Sequence, residues 1–95
     1  MSLTIVKTFT RPDTNTAWYN GSDEKKALMS AQADNGNQIS KNTSLSENEL
    51  IRTTTIVWKD EDVRDVVRND SIIITHRQNQ KIHNDANNIS KEIVS

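Results

Sequence analysis

Hydrophobic and polar positions change their period several times along the chain, and each change marks an element. From Leu3 to Thr10 the period is two. Leu3, Ile5 and Phe9 share one face, interrupted by Lys7, and Val6 lies opposite among threonines. Alternation in β-branched residues predicts a strand. Arg11-Pro12-Asp13 stops it, because proline cannot donate to a ladder. Asp13 to Gly21 reads as a loop carrying Trp18 and Tyr19. Ser22 is a good N-cap, and Asp23 and Glu24 fall in the first turn, where the helix dipole favours acids. Ala27, Leu28 and Ala31 follow at helical spacing, and Gly36 supplies a stop. The spacing thus predicts a helix from about Ser22 to Asn35.

Ile39 to Leu45 alternates weakly, with Ile39, Lys41, Thr43 and Leu45 on one side, and predicts a second strand. Ser46-Glu47-Asn48 fits a hairpin turn. Leu50 to Trp58 is the clearest strand. Ile51 and Val57 point one way with Thr53 and Thr55; Leu50, Ile56 and Trp58 point the other way with Arg52 and Thr54. Two half-apolar faces suit a central strand with helices on one side and a partner on the other. Asp60 then caps a short helix without an intervening glycine. Val63, Val66 and Val67 stand at i, i+3 and i+4 and are expected to face the sheet. Asp70 or Ser71 opens a further helical stretch with Ile72, His76 and Ile82 roughly on one side and Ala86 near. Its first residues, Ser71 to Thr75, contain three isoleucines and are open between helix and strand. Asn87-Asn88 breaks it, and Ile89 to Val94 alternates as a final edge strand.

The order is β-α-β-β-α-β. This predicts an α+β, ferredoxin-like fold, with a four-stranded antiparallel sheet and the helices on one face. The 95 residues suffice for a single such domain, 1–95. Only 33% of residues are hydrophobic and four are aromatic, so the core is thin. A lean core suggests that apolar surface is buried against a second copy, and a homodimer is expected. The formal charge is −1 with both signs mixed. No basic block points to nucleic acid. Cysteine is absent, which excludes disulfides and thiolate chemistry. No apolar run approaches the ~20 residues of a membrane span, and the N-terminus lacks the pattern of a signal peptide. A soluble, cytoplasmic protein is expected. Isoleucine outnumbers leucine, as in AT-rich phage and marine bacterial coding.

Trp58, Val63, Asn69-Asp70 and His76, followed by Asn87-Asn88-Ile89, resemble the pattern of the antibiotic-biosynthesis-monooxygenase-like group of dimeric ferredoxin-like α+β barrels. In that group a strand ends in Trp, a capped helix follows, and a polar corner leads into a helix with a histidine. The resemblance covers the second half of the chain; the first half matches in element order. It implies helix at 71–76, a homodimer packed through open sheet faces, and a pocket between sheet and helices. In the haem-degrading branch a histidine on the second helix ligates iron, a preceding tryptophan distorts the porphyrin and a first-strand asparagine assists. His76 matches the histidine. Val67 stands near the tryptophan's position and Lys7 replaces the asparagine, so no haem or other cofactor is expected.

Phe9, Trp18, Trp58 and His76 are the candidate pocket-lining residues, suited to a small aromatic ligand. Phe9, Trp18, Tyr19 and Trp58 read rather as the main core and interface anchors of an aromatic-poor chain, and His76 as a half-buried residue at the helix–sheet seam. His76 and His83 are two helical turns apart, roughly 10 Å, which is too far to share a metal. His83 with Asp85 reads as a surface pair. Asp60, Glu61 and Asp62 read as first-turn helix charges rather than an acid–base dyad. There is no glycine-rich phosphate loop and no nucleophile elbow. The expectation is a non-catalytic homodimeric binding or structural module. The alternative is a cofactor-independent monooxygenase or haem-degrading enzyme, with His76 as its candidate catalytic residue.

Overall fold

A computed structural model describes residues 1–94. The elements are β1 (Leu3–Thr10), α1 (Asp23–Asp34), β2 (Gln38–Leu45), β3 (Ile51–Trp58), α2 (Glu61–Arg68), α3 (Ser71–Asn87) and β4 (Ser90–Val94). The strands form one antiparallel sheet in the order β2-β3-β1-β4. This is the ferredoxin-like α+β arrangement that the sequence predicts. Ser71 to Thr75 is helical, because Asp70 accepts from the Ile72 amide at 2.9 Å and starts α3. Asp60 does the same for α2, accepting from the Val63 amide at 2.8 Å. Two caps ten residues apart give two helices where one hydrophobic pattern would otherwise run on.

The other boundaries have equally local causes. Gly36 ends α1 with φ of +83°, in the left-handed region that favours glycine. Asn88 ends α3 with φ of +57°, a conformation asparagine tolerates. The β2–β3 turn is held by side chains: the Ser46 hydroxyl meets Asn48 Oδ1 at 2.7 Å, and Asn48 Oδ1 accepts from the Leu50 amide at 3.1 Å.

Register places Leu3, Ile5, Lys7 and Phe9 opposite Trp58, Ile56, Thr54 and Arg52, all on the face that the helices cover. Ile5, Ile56, Trp58, Val67 and Ile73 form the core, with Leu3, Leu28, Met29 and Val63 packed on its margin. No side chain of large volume is fully sealed from solvent among the described residues. The thin core therefore stands as composition implied. The opposite sheet face carries Val6, Val57 and Val94 among threonines and serines, and no helix covers it.

Three helix faces differ from the sequence reading. Val66 points outward and is 74% exposed, whereas Val67 is buried; the i, i+4 pair Val63 and Val67 makes the contact, and i+3 overshoots the short helix's narrow buried stripe. On α3, Ile82 is 68% exposed and Ala86 is also exposed. The inward row is Ile73, His76, Gln80 and Asn84, with Gln80 and Asn84 buried despite their amides. Hydrophobicity misleads here because the inward face of α3 is largely polar. On α1, Ala27 and Ala31 are exposed, and Lys25, Leu28 and Met29 are turned toward the sheet. Among the described residues, no helix is long and apolar enough to cross a membrane.

Candidate functional site

Two adjoining cavities lie between the sheet and the helices, about 320 and 210 Å³ in volume. They share Lys7, Lys25, Ile56, His76 and Gln80 as lining. The floor of the larger is apolar, with Ile5, Trp58, Met29, Val67 and Ile73. Its walls are cationic, with Arg64, Arg68, Arg77 and Lys91 joining Lys7 and Lys25. The smaller adds Lys26, Lys41 and Arg52, with Thr43, Thr54 and Phe9. Nine of the chain's twelve Lys and Arg residues thus line the two cavities, and no Asp or Glu does.

Such crowding of one sign changes proton affinities. Burial, helped by Lys91, Lys25, Arg77 and Lys41, lowers the Lys7 amine from its ordinary 10.5 to about 8. Lys25 also falls to about 8, chiefly through burial and then through Lys41, Lys26 and Arg52. Burial and then the neighbouring lysines lower His76 to about 4, so its ring is neutral at pH 7. Lys91 is lowered by burial and by Arg77 and Arg68. Among the described residues the partners of these cations are few. Arg64 meets Asp65 at 2.9 Å, and Lys91 donates to Gln80 Oε1 at 2.9 Å. The Nε of Arg52 and the Nδ1 of His76 are buried without a hydrogen-bond partner.

The loop between β1 and α1 closes the site. Trp18 lies against the guanidinium groups of Arg11 and Arg52, at 4.6 and 5.0 Å, and Arg52 also faces the Phe9 ring at 5.2 Å. Tyr19 stands between His76 and His83, with ring centroids 5.3 and 5.6 Å away. His83 Nε2 meets the Ala17 carbonyl at 2.9 Å, so this residue ties the loop to α3. Asp85 pairs with Lys81 at 2.8 Å rather than with His83. Gly21 lets the loop approach the histidine, because a Cβ there would stand 3.1 Å from the His76 ring.

Of the four candidate residues, Trp58 lines the larger cavity, Phe9 the smaller and His76 both. Trp18 lines neither; it is held behind Arg52 by the cation–π contacts. The three positions singled out by the haem-degrading branch, Lys7, Val67 and His76, do meet on the larger cavity. Two of them carry a cation and an aliphatic side chain, so the residues do not assemble that branch's haem site. Among the described residues, no cluster of three or more His, Asp or Glu could hold a metal ion.

No family profile matches the sequence, and no curated protein does. Solved structures do match. A Bacteroides thetaiotaomicron protein of unknown function, described as a possible oxidoreductase, superposes with a TM-score of 0.66 at 9% identity, covering 98% of this chain and 93% of that one. SnoaB, a cofactor-independent oxygenase from Streptomyces nogalater, gives 0.57 at 12% identity, covering 99% and 91%. A proposed antibiotic biosynthesis monooxygenase from Deinococcus radiodurans gives 0.55 at 10%, covering 97% and 88%. The chain has the fold of the antibiotic-biosynthesis-monooxygenase-like proteins. Within that monooxygenase-like fold, sequence reasoning missed the convergence of cations. The available signal was the alternation in β1 and β3, which puts Lys7 and Arg52 on the same face as Ile5, Phe9, Ile56 and Trp58.

Proposed function

We propose that the chain binds a small organic anion with a flat apolar body in the larger cavity. The observation that carries this reading is an apolar floor enclosed by cations, with no Asp or Glu among the described lining residues. Burial first, and then repulsion between like charges, works against the charged lysines and lowers their proton affinities. An anion relieves that repulsion, while Trp58 and Met29 offer contact to an aromatic or alicyclic body. Calorimetric titration should show 2-naphthoate binding at least tenfold more tightly than neutral 2-naphthol at pH 7, with an affinity that declines as salt rises. Equal binding of the two probes, or binding of neither, would defeat this reading.

A second reading is cofactor-independent oxygenation of the bound anion, as the name of SnoaB states for that neighbour. It is favoured by an amine with a pKa of about 8 beside a neutral imidazole on one cavity. The neutral Lys7 amine would take a proton from an acidic C–H of the substrate. The carbanion, held by Lys25, would then add dioxygen and recover the proton as a hydroperoxide. Oxygen-electrode traces with a polycyclic anthrone, whose C–H is acidic, should then show uptake that Lys7→Met abolishes; uptake unchanged by that variant excludes this role.

The uncovered sheet face, with Val6, Val57 and Val94 among threonines, favours a homodimer packed through it. Light scattering at micromolar concentration should give twice the 10.8 kDa chain mass. A monomeric mass would remove the dimer.

A further inference from the structure

The smaller cavity differs from the larger in kind. Its lining is polar apart from Phe9, Ile56 and the Tyr19 ring. Lys7, Lys25, Lys26, Lys41 and Arg52 bring five cations to about 210 Å³. The Thr43 and Thr54 hydroxyls, 3.5 Å apart across the β2–β3 ladder, face the same space. Gln80, buried between the cavities, accepts from Lys91 through Oε1 and so keeps its amide N–H groups as donors. Arg52 is held between the Phe9 and Trp18 rings, with its Nε buried and unpartnered. A guanidinium fixed between two rings, among ammonium groups that are unpaired within the described residues, is built to receive oxygen atoms.

We propose that the smaller cavity is a subsite for a phosphoryl group, gripped by Arg52, Lys41, Lys7 and Lys25 with the Thr54 hydroxyl, and that the natural ligand is a phosphomonoester. This rests on the reading of the larger cavity as the place for the ligand's apolar body. A carboxylate offers two oxygens and one charge, too few for this set of donors. A phosphomonoester offers three terminal oxygens and up to two charges, which fit both the donor count and the local excess of positive charge. The shared residues Lys7 and Lys25 couple the cavities, so body and phosphoryl group stabilise the same two lysines.

The test is calorimetric titration at pH 7 and constant ionic strength with 2-naphthoate, 2-naphthyl phosphate and inorganic phosphate. Naphthyl phosphate should bind at least tenfold more tightly than naphthoate, and inorganic phosphate should compete with it. Lys41→Gln and Arg52→Gln should each weaken naphthyl phosphate at least tenfold while changing naphthoate less than threefold. Lys41 is exposed, so its variant keeps the fold even where loss of Arg52 disturbs the Trp18 loop. Naphthyl phosphate no tighter than naphthoate, or both variants weakening the two probes equally, overturns the subsite and leaves the organic-anion reading standing. Inorganic phosphate binding without naphthoate or naphthyl phosphate binding overturns the organic-anion reading and the phosphomonoester ligand with it. Silence from all three probes overturns both.

Discussion

Val67→Asp should abolish folding, and Val66→Asp should leave the melting curve within a degree or two of the parent. The two valines are neighbours on α2, yet Val67 is 7% exposed and Val66 is 74% exposed. Val67 packs into the core formed by Ile5, Ile56, Trp58 and Ile73. An aspartate there loses the aliphatic contact and buries an unpaired charge, a penalty of about 3–5 kcal/mol. Small domains have only ~5–15 kcal/mol in total, and a chain without a fully sealed core side chain stands at the lower end. Val66→Asp changes a solvated position, where substitutions usually stay within about 0.5 kcal/mol. Circular-dichroism melts of both variants check this. Cooperative unfolding of Val67→Asp near the parent's midpoint would show that α2 does not dock as described.

The same pair shows where the sequence is legible and where it stops. Strands were readable because alternation in β1 and β3 sorts residues between two faces, and the register confirms each assignment. Caps were readable because Ser22, Asp60 and Asp70 accept from backbone amides within three residues of themselves. Helix faces were harder. On α2 the valines at 63, 66 and 67 fit two overlapping stripes, and only packing against Ile56 and Ile73 selects one. On α3 the rule that inward means apolar fails, because Gln80 and Asn84 are turned in while Ile82 is turned out.

The site was hidden for a related reason. Its cations are spread from Lys7 to Lys91, so no segment is basic and the net charge is −1. Chain topology brings them together: β1, β3 and β4 supply Lys7, Arg52 and Lys91, and the three helices supply the rest except Lys41 of β2. The acids are kept elsewhere, at helix starts and on outer faces, where Asp60 and Asp70 serve as caps. A neutral average therefore conceals a separated field, and separation of that kind attracts ligands of one sign.

Lys7→Met should make the protein more stable at pH 7 and poorer at binding an organic anion. Lys7 stands on β1 between Ile5 and Phe9 and lines both cavities. Burial first, then Lys91 and Lys25, lowers its pKa from 10.5 to about 8. That fall corresponds to about 3 kcal/mol against the charged folded state. Water at the partly exposed amine screens it, leaving ~1–2 kcal/mol. Methionine keeps the aliphatic stem and removes the charge, so the melting temperature should rise by about 5–10 °C. The pH dependence has a definite sign. Between pH 8 and 10.5 the unfolded chain holds the Lys7 proton and the folded chain does not, so wild-type stability increases as pH rises through that window. Lys25, also at about 8, contributes in the same direction. Lys7→Met should therefore show a gain over wild type that is largest below pH 8 and shrinks toward pH 10.5, the Lys25 contribution being common to both proteins. Thermal melts at pH 7 and 10 measure this, and naphthoate titration of the same samples measures the loss of affinity. A variant that melts below wild type at pH 7 would show that Lys7 is not strained, and one that binds naphthoate as well as wild type would show that the site does not use it. Higher stability with lower affinity marks a residue kept for its charge at the expense of the fold.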